Sequence, residues 1–163
     1  MTILALCLFW SSLGLLIYAY SGYPLLLMLI ARFLPKKQSP IMSDWPTVTL
    51  IIPAYNEAAV LDAKLENVKT IDYPKEKLEV IVGSDCSSDK TVDIASSYQD
   101  SGIKLMHFTQ RRGKPSVVND VVAAASGDVL CLCDANVMFR PDAVKRLINH
   151  LADSQVGGAS GDV

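Results

Sequence analysis

Apolar positions along the chain change period several times, and each change marks an element. From Ile3 to Ile30 the sequence carries no charge. A helix of that length rises ~42 Å against a hydrocarbon core of ~30 Å, which predicts one membrane-spanning helix. Trp10, Tyr18, Tyr20 and Tyr23 are amphipathic rings suited to an interface. Gly22 and Pro24 mark a bend or the end of the strict span. A cleaved signal peptide needs a basic leader and a short apolar core. Here no Lys or Arg precedes Arg32 and the run is too long, so residues 1–34 read as a retained anchor. Pro35, Pro40 and Pro46, with Ser and Lys between them, give residues 35–46 a linker composition.

Beyond the linker, short β-branched runs alternate with helical spacing. Thr47–Ile52, Leu78–Val82, Ile103–Phe108 and Val129–Cys133 predict strands. Helices are predicted over Ala58–Thr70, from about Asp89 to Tyr98 with Ser87 or Ser88 as N-cap, and from Pro115 to Ala125. A last helix opens at Pro141, where Val144, Leu147, Ile148 and Leu151 fall at i, i+3, i+4 and i+7. Gln155–Val163 reads as a fifth strand or its start. This alternation predicts an α/β unit with right-handed crossovers and a Rossmann-like, mainly parallel sheet over residues 47–163.

Charge sharpens the division. The chain of 163 residues has net charge −2, but residues 1–43 hold only Arg32, Lys36 and Lys37, while residues 44–163 hold 12 basic and all 17 acidic side chains. The basic cluster just after the apolar run predicts, by the positive-inside rule, a cytoplasmic soluble part. No nucleic-acid partner is expected from this balance.

In parallel sheets, ligands bind beyond the carboxyl ends of the strands. There the sequence places Pro53-Ala-Tyr-Asn-Glu57, Gly83-Ser-Asp-Cys-Ser-Ser-Asp89 and Asp134-Ala-Asn136, with the basic stretch Arg111-Arg-Gly-Lys-Pro115 between the last two. Carboxylates with room for a hard cation, beside Lys and Arg, suit a metal-bound polyphosphate. Asp134 directly follows an apolar strand, and Asn136 adds a carbonyl oxygen two residues on; Mg²⁺ or Mn²⁺ would keep waters and bridge phosphates. The competing reading of this pair is a turn cap. Asp85 lies early in its loop and is free to meet a ligand, whereas Asp89 suits the first turn of a helix. Glu57 lines either a site or a helix start, and Lys114 is either a ligand group or a solvated charge.

Cys131 and Cys133 lie inside an apolar strand with no second pair at zinc spacing, and they read as small buried residues. Cys7 falls in the apolar run, nothing near Cys86 argues for catalysis, and His107 and His150 stand apart. No Gly-x-Gly-x-x-Gly follows the first strand and no Gly-x4-Gly-Lys-[Ser/Thr] occurs, which disfavours a dinucleotide-dependent enzyme and a P-loop enzyme.

Four segments carry a resemblance: Val48-Thr-Leu-Ile-Ile-Pro-Ala-Tyr-Asn-Glu57, Val80-Ile-Val-Gly-Ser-Asp-Cys-Ser-Ser-Asp-Lys-Thr91, Arg112-Gly-Lys-Pro-Ser-Val-Val-Asn119 and Ser126-Gly-Asp-Val-Leu-Cys-Leu-Cys-Asp-Ala-Asn136. In this order they resemble the N-terminal half of a membrane-bound family 2 glycosyltransferase of GT-A fold. The resemblance implies a nucleotide-sugar donor, commonly a UDP-sugar, and a saccharide or lipid acceptor. It implies that Pro53, Ala54, Tyr55, Glu57 and Asp85 meet the nucleoside and that Lys114 lies near the diphosphate. Asp134 would open the family's Asp-x-Asp metal motif, with Asn136 in place of the second Asp, and Cys86 stands where the family has Gly. The catalytic base and acceptor region are expected beyond Val163. The competing expectation is a non-catalytic, membrane-tethered nucleotide-binding or scaffold module.

Overall fold

A computed structural model describes residues 2–33, 42 and 44–161. The chain divides into two compact units, residues 1–38 and 39–163. Lys36, Lys37, Pro35 and Pro40 of the expected linker lie outside the described residues.

The first unit is a continuous helical run, Thr2–Phe33, long and apolar enough to cross a membrane, with no buried side chain. Helices α1 (Thr2–Ile17) and α2 (Tyr23–Phe33) meet at a π-helical turn over Tyr18–Gly22, where the Tyr23 N–H donates to the Tyr18 carbonyl. The turn sits just before Pro24, which has no N–H for a regular ladder and whose ring would crowd the Tyr20 carbonyl. Gly22 packs on the Tyr18 ring, where a Cβ would lie 3.0 Å from Cδ2.

The second unit is a mixed α/β layer structure on a four-stranded sheet. Strands β1 (Val48–Ala54), β2 (Leu78–Asp85), β3 (Ile103–Phe108) and β4 (Val129–Leu132) are ordered β3-β2-β1-β4, every neighbouring pair parallel. Helices α3 (Ala58–Lys69), α4 (Thr91–Ser97), α5 (Lys114–Ala124) and α6 (Ala143–His150) cover its faces. Pleating divides the strand side chains between two cores. Leu50, Ile52, Val80 and Val82 pack with Leu61, Leu65, Ala95, Val144 and Ile148 from α3, α4 and α6. Ile51 and Ile81 point the other way, onto Val117 and Val121 of α5. Each such fully buried aliphatic side chain contributes about 1.5–3 kcal/mol. Gly83 lets α5 approach, since a Cβ there would meet Val117 Cγ1 at 2.6 Å.

Strand β1 runs past the predicted end at Ile52 to Ala54. The last β1–β4 pair is Ile51 with Leu132, and Pro53 shares the β4-facing side of the strand with Ile51. Its missing donor therefore falls where β4 has already left the sheet, so a proline is tolerated in a central strand. Trp45 packs on this unit, edge-on to Tyr73 with centroids 5.8 Å apart.

Three expectations are corrected. Lys90, not Ser87 or Ser88, holds the N-cap position of α4, because both serines are engaged by Asn56. The last helix starts at Ala143 rather than Pro141. Residues 155–161 form no fifth strand, while residues 162 and 163 lie outside the described residues. Gly157, Gly158 and Gly161 have no side chains to pack on a pleated surface, which leaves this stretch without the usual stabilisation of a strand.

Candidate functional site

The chain moves from β1 outward to β2 and β3, then returns to place β4 on the other side of β1. The point of reversal lies between β1 and β4, and open α/β sheets bind ligands outside the strand ends at such a point. A groove of about 1160 Å³ runs along β4 and α6 and reaches this point, with Pro53, Lys114, Cys133, Asp134, Met138 and Arg140 among its walls.

Each strand end presents a different group. At the end of β1, Ala54 is buried; beyond it Tyr55 is 38% exposed and Asn56 takes a left-handed φ of 54°. The Asn56 side-chain carbonyl accepts the Ser88 N–H at 2.8 Å, and its own N–H donates to Ser87 Oγ at 3.2 Å. Asp89 clamps the same two loops: its carboxylate accepts the Ala58 N–H at 3.1 Å and the Thr91 N–H at 3.0 Å. The Thr91 hydroxyl, donating at 2.5 Å, is the main cause of a carboxyl held below its ordinary range. Asp89 thus has a structural part, just ahead of α4 rather than in its first turn. The Glu57 N–H donates to Thr91 Oγ1 at 2.8 Å, and the Glu57 carbonyl starts α3.

Asp85, the last residue of β2, is 5% exposed. Its two carboxylate oxygens accept the backbone N–H groups of Arg112 and Gly113, each at 2.8 Å. Gly113 has φ 84°, a conformation open to glycine at little cost, and it caps α5. The next residue, Lys114, puts its ammonium 2.5 Å from Asp134 Oδ1, with both side chains more than half exposed. On the other flank, the Arg111 guanidinium lies 4.0 Å over the Tyr55 ring. Arg112 pairs with Asp120 and lies over Phe108. A single basic loop, 111–114, therefore touches the ends of β1, β2 and β4.

Asp134 follows Cys133, whose N–H donates to the Ile51 carbonyl at 3.1 Å. Ala135 is 2% exposed and anchors the turn inward, which leaves Asp134 and Asn136 on the outside. Among the described residues no three His, Cys, Asp or Glu side chains cluster as a metal site. The donor set at β4 is one carboxylate and one amide, enough for a magnesium-type ion only where phosphates and water fill the remaining positions.

The structure brings Tyr55, Asp85, Lys114 and Asp134 to one loop, and Pro53 to the same groove as Lys114 and Asp134. Glu57 is tied through its backbone N–H to Thr91 at the start of α4, and Asp85 is not a groove wall: it holds the loop that reaches the site. Sequence reasoning missed Arg111 as the partner of Tyr55. It also missed Lys64, whose side chain is fully buried in α3. A lysine on the apolar stripe of Val60, Leu61, Leu65 and Val68 was the available signal.

The comparisons with known proteins agree with this fold. The family model "Glycosyl transferase family 2" matches residues 49–163. A probable glycosyltransferase of Bacillus subtilis, YdaM, is 32% identical over 161 residues, which is 96% of this chain and 38% of that protein. A poly-beta-1,6-N-acetyl-D-glucosamine synthase of Staphylococcus aureus is 28% identical over 79% of this chain and 31% of its own length. Among solved structures, a mannosyltransferase from Pyrobaculum calidifontis, in complex with GDP-Man and Mn²⁺, superposes with a TM-score of 0.78 at 33% identity, covering 87% of this chain and 44% of that one. S. aureus TarS residues 1–349 in complex with UDP-GlcNAc gives a TM-score of 0.58 at 25% identity, over 61% of this chain and 29% of that one. The chain thus spans less than half the length of each of these relatives. With its parallel sheet, its loop-bridged strand ends and a family match over most of its length, the chain belongs to glycosyl transferase family 2.

Proposed function

We propose that this chain is the donor-binding part of a membrane-anchored glycosyltransferase that takes a sugar from a nucleoside-diphosphate donor, a UDP-sugar, and passes it to a saccharide or lipid acceptor. The observation that carries the reading is the 111–114 loop, which ties an aromatic ring, a buried carboxylate and an exposed Asp–Lys pair into one rim.

Pro53, Ala54, Tyr55, Glu57 and Asp85 form the nucleoside side. The exposed Tyr55 ring offers a stacking face, and the Asp85 carboxylate retains acceptor lone pairs beyond the two backbone bonds it makes. Lys114 is the diphosphate group: its ammonium is exposed and paired only through an ion pair of low net strength, so a phosphate can compete for it. Asp134 and Asn136 would hold a divalent cation, Mg²⁺ or Mn²⁺. When bound, that ion neutralises charge that builds on the departing nucleoside diphosphate. The Mn²⁺ in the mannosyltransferase complex supports a metal in this role.

The general base that deprotonates the acceptor hydroxyl is assigned to sequence beyond Val163, in keeping with a chain that spans 38% of YdaM. Thr2–Phe33 serves as a single-pass anchor, and the basic residues after it favour a cytoplasmic position for the second unit. A reporter fused after Lys37 is expected to read as cytoplasmic; a signal from the opposite compartment overturns that topology. Asn136 in place of a second carboxylate favours one alternative, a tethered module that binds donor without transfer. Donor binding without turnover by the product of the complete gene would select it.

The test is calorimetry of the full chain in detergent micelles with UDP, GDP and NAD, each with and without Mn²⁺. UDP is expected to bind tightest and to need the ion, and Asp134→Ala is expected to remove that need. Equal UDP affinity with and without Mn²⁺ overturns the assignment of Asp134, and preference for GDP overturns the choice of nucleoside.

A further inference from the structure

Lys64 lies on α3, a helix that supplies no group to the groove, and its side chain is 0% exposed. Burying an ammonium is costly unless its three donors are met. Here they are met at one place. Lys64 Nζ donates to the Val137 carbonyl at 2.5 Å and to Cys133 Sγ at 3.1 Å, and sits 4.0 Å from the centroid of the Phe139 ring. One turn further along α3, the Asn67 amide donates to the Phe139 carbonyl at 2.9 Å and accepts the Phe139 N–H at 2.7 Å. Cys133 immediately precedes Asp134, and Val137 immediately follows Asn136. The two side chains of α3 therefore grip the Asp134–Asn136 turn on both sides. Within the turn, the Val137 N–H to Asp134 carbonyl bond is long, at 3.3 Å.

We propose that Lys64, seconded by Asn67, is the positioning residue that fixes where the Asp134 carboxylate and the Asn136 amide stand relative to the donor phosphates. The inference rests on the donor-site reading of Asp134. An apolar side chain at position 64 would fill the same volume but leave the Val137 carbonyl without its donor. The cation instead fastens backbone and sulfur atoms that an alkyl chain cannot hold. A displacement of about 1 Å at a phosphate-binding group is enough to cost roughly a hundredfold in its function.

The experiment compares the unaltered full chain with Lys64→Met, Asn67→Ala and Asp134→Ala in detergent micelles. UDP is titrated with and without Mn²⁺, uridine is titrated alone, and folding is followed by circular dichroism. Lys64→Met is expected to stay folded, to keep its uridine affinity, and to lose at least about tenfold of the Mn²⁺-dependent gain in UDP affinity. Asn67→Ala is expected to move the same quantity in the same direction by less. A general loosening of the domain would weaken uridine and UDP together, and that result overturns the proposal, as does an unchanged Mn²⁺ gain in Lys64→Met. Should Lys64→Met fail to fold, Asn67→Ala decides, and an unchanged Mn²⁺ gain there overturns the proposal. No Mn²⁺ gain in the unaltered chain, or one that survives in Asp134→Ala, overturns the donor-site reading itself. A gain that vanishes in Asp134→Ala but persists in Lys64→Met and Asn67→Ala overturns only the positioning role.

Discussion

Asp85 and Asp134, at the ends of β2 and β4, are joined through two consecutive residues: the Gly113 N–H binds the first carboxylate at 2.8 Å and the Lys114 ammonium binds the second at 2.5 Å. The two contacts differ in kind. One is buried and made by backbone; the other is a solvent-exposed ion pair.

Buried, charge-assisted bonds of the first kind contribute about 1.5–3 kcal/mol each. In Asp85→Asn the new amide NH₂ faces a backbone N–H, so one of the two bonds is replaced by a clash of donors. Stability in urea is expected to fall by about 2 kcal/mol, with loss of nucleotide binding. Unchanged stability and binding would mean that the loop does not depend on this carboxylate.

The exposed pair is worth about 0–1 kcal/mol, so Lys114→Met is expected to leave stability within that range. Its effect falls on ligands. Without the ammonium, Asp134 has no resident competitor and Mn²⁺ alone binds more tightly, whereas UDP with Mn²⁺ binds at least about tenfold more weakly because a charge-assisted phosphate contact is gone. Calorimetry with each ligand separates the two; parallel changes in both would contradict the assigned roles.

At the opposite end of the sheet, Glu79 accepts from Thr49 Oγ1 at 2.6 Å, from the Ser126 N–H at 2.9 Å and from Lys104 at 2.6 Å. Burial opposes its ionisation, yet Lys104, Ser126 and Thr49 together bring its pKa down to about 2. The folded value lies below the unfolded one of ~4.3, so the stabilisation is complete above that value and is lost as pH falls from ~5 towards 2. The loss amounts to roughly 2–3 kcal/mol at 1.36 kcal/mol per pKa unit. Acid unfolding curves of the unaltered chain and Glu79→Gln should converge at low pH and separate above pH 5; parallel curves would rule out this site as the cause.

Gly127 precedes β4, and a Cβ there would lie 2.5 Å from the Thr49 backbone nitrogen. Backbone cannot give as a side-chain tip can, so Gly127→Ala is expected to destabilise by about 1–3 kcal/mol or more. Gly157→Ala, where a Cβ meets nothing within 4 Å, serves as the neutral control in the same thermal melt.

The central strands β1 and β2 were legible because each is a short β-branched run that is largely buried, the signature of a parallel sheet, while the outer strands β3 and β4 stood out as short apolar runs with one side partly open. The groups at the strand ends were legible for a related reason: Asp134 stops an apolar run abruptly, and Asp85 follows one after Gly83 and Ser84. What sequence could not supply was partnership across loops. Ser87 and Ser88 look like caps, but Asn56, some thirty residues earlier, claims both. Arg111 reads only as part of a basic stretch until Tyr55 lies beneath it. Lys64 is a charge on an apolar helix face, and only the distant segment 133–139 explains it. The expected strand from Gln155 rested on alternation alone, and its glycines give a pleated surface nothing to hold.

The basic loop has a consequence for the order in which ligands arrive. On the proposed donor-site reading, an ion that drew Lys114 away from Asp134 would act on a stretch that Asp85 and the Tyr55 ring also hold. Thermodynamic linkage makes such an effect mutual: an ion that favours the released arrangement strengthens the base-binding flank by the same factor by which the nucleoside strengthens the ion. The two halves of a donor would then be captured as one cooperative event, and neither half alone would report the full affinity of the site.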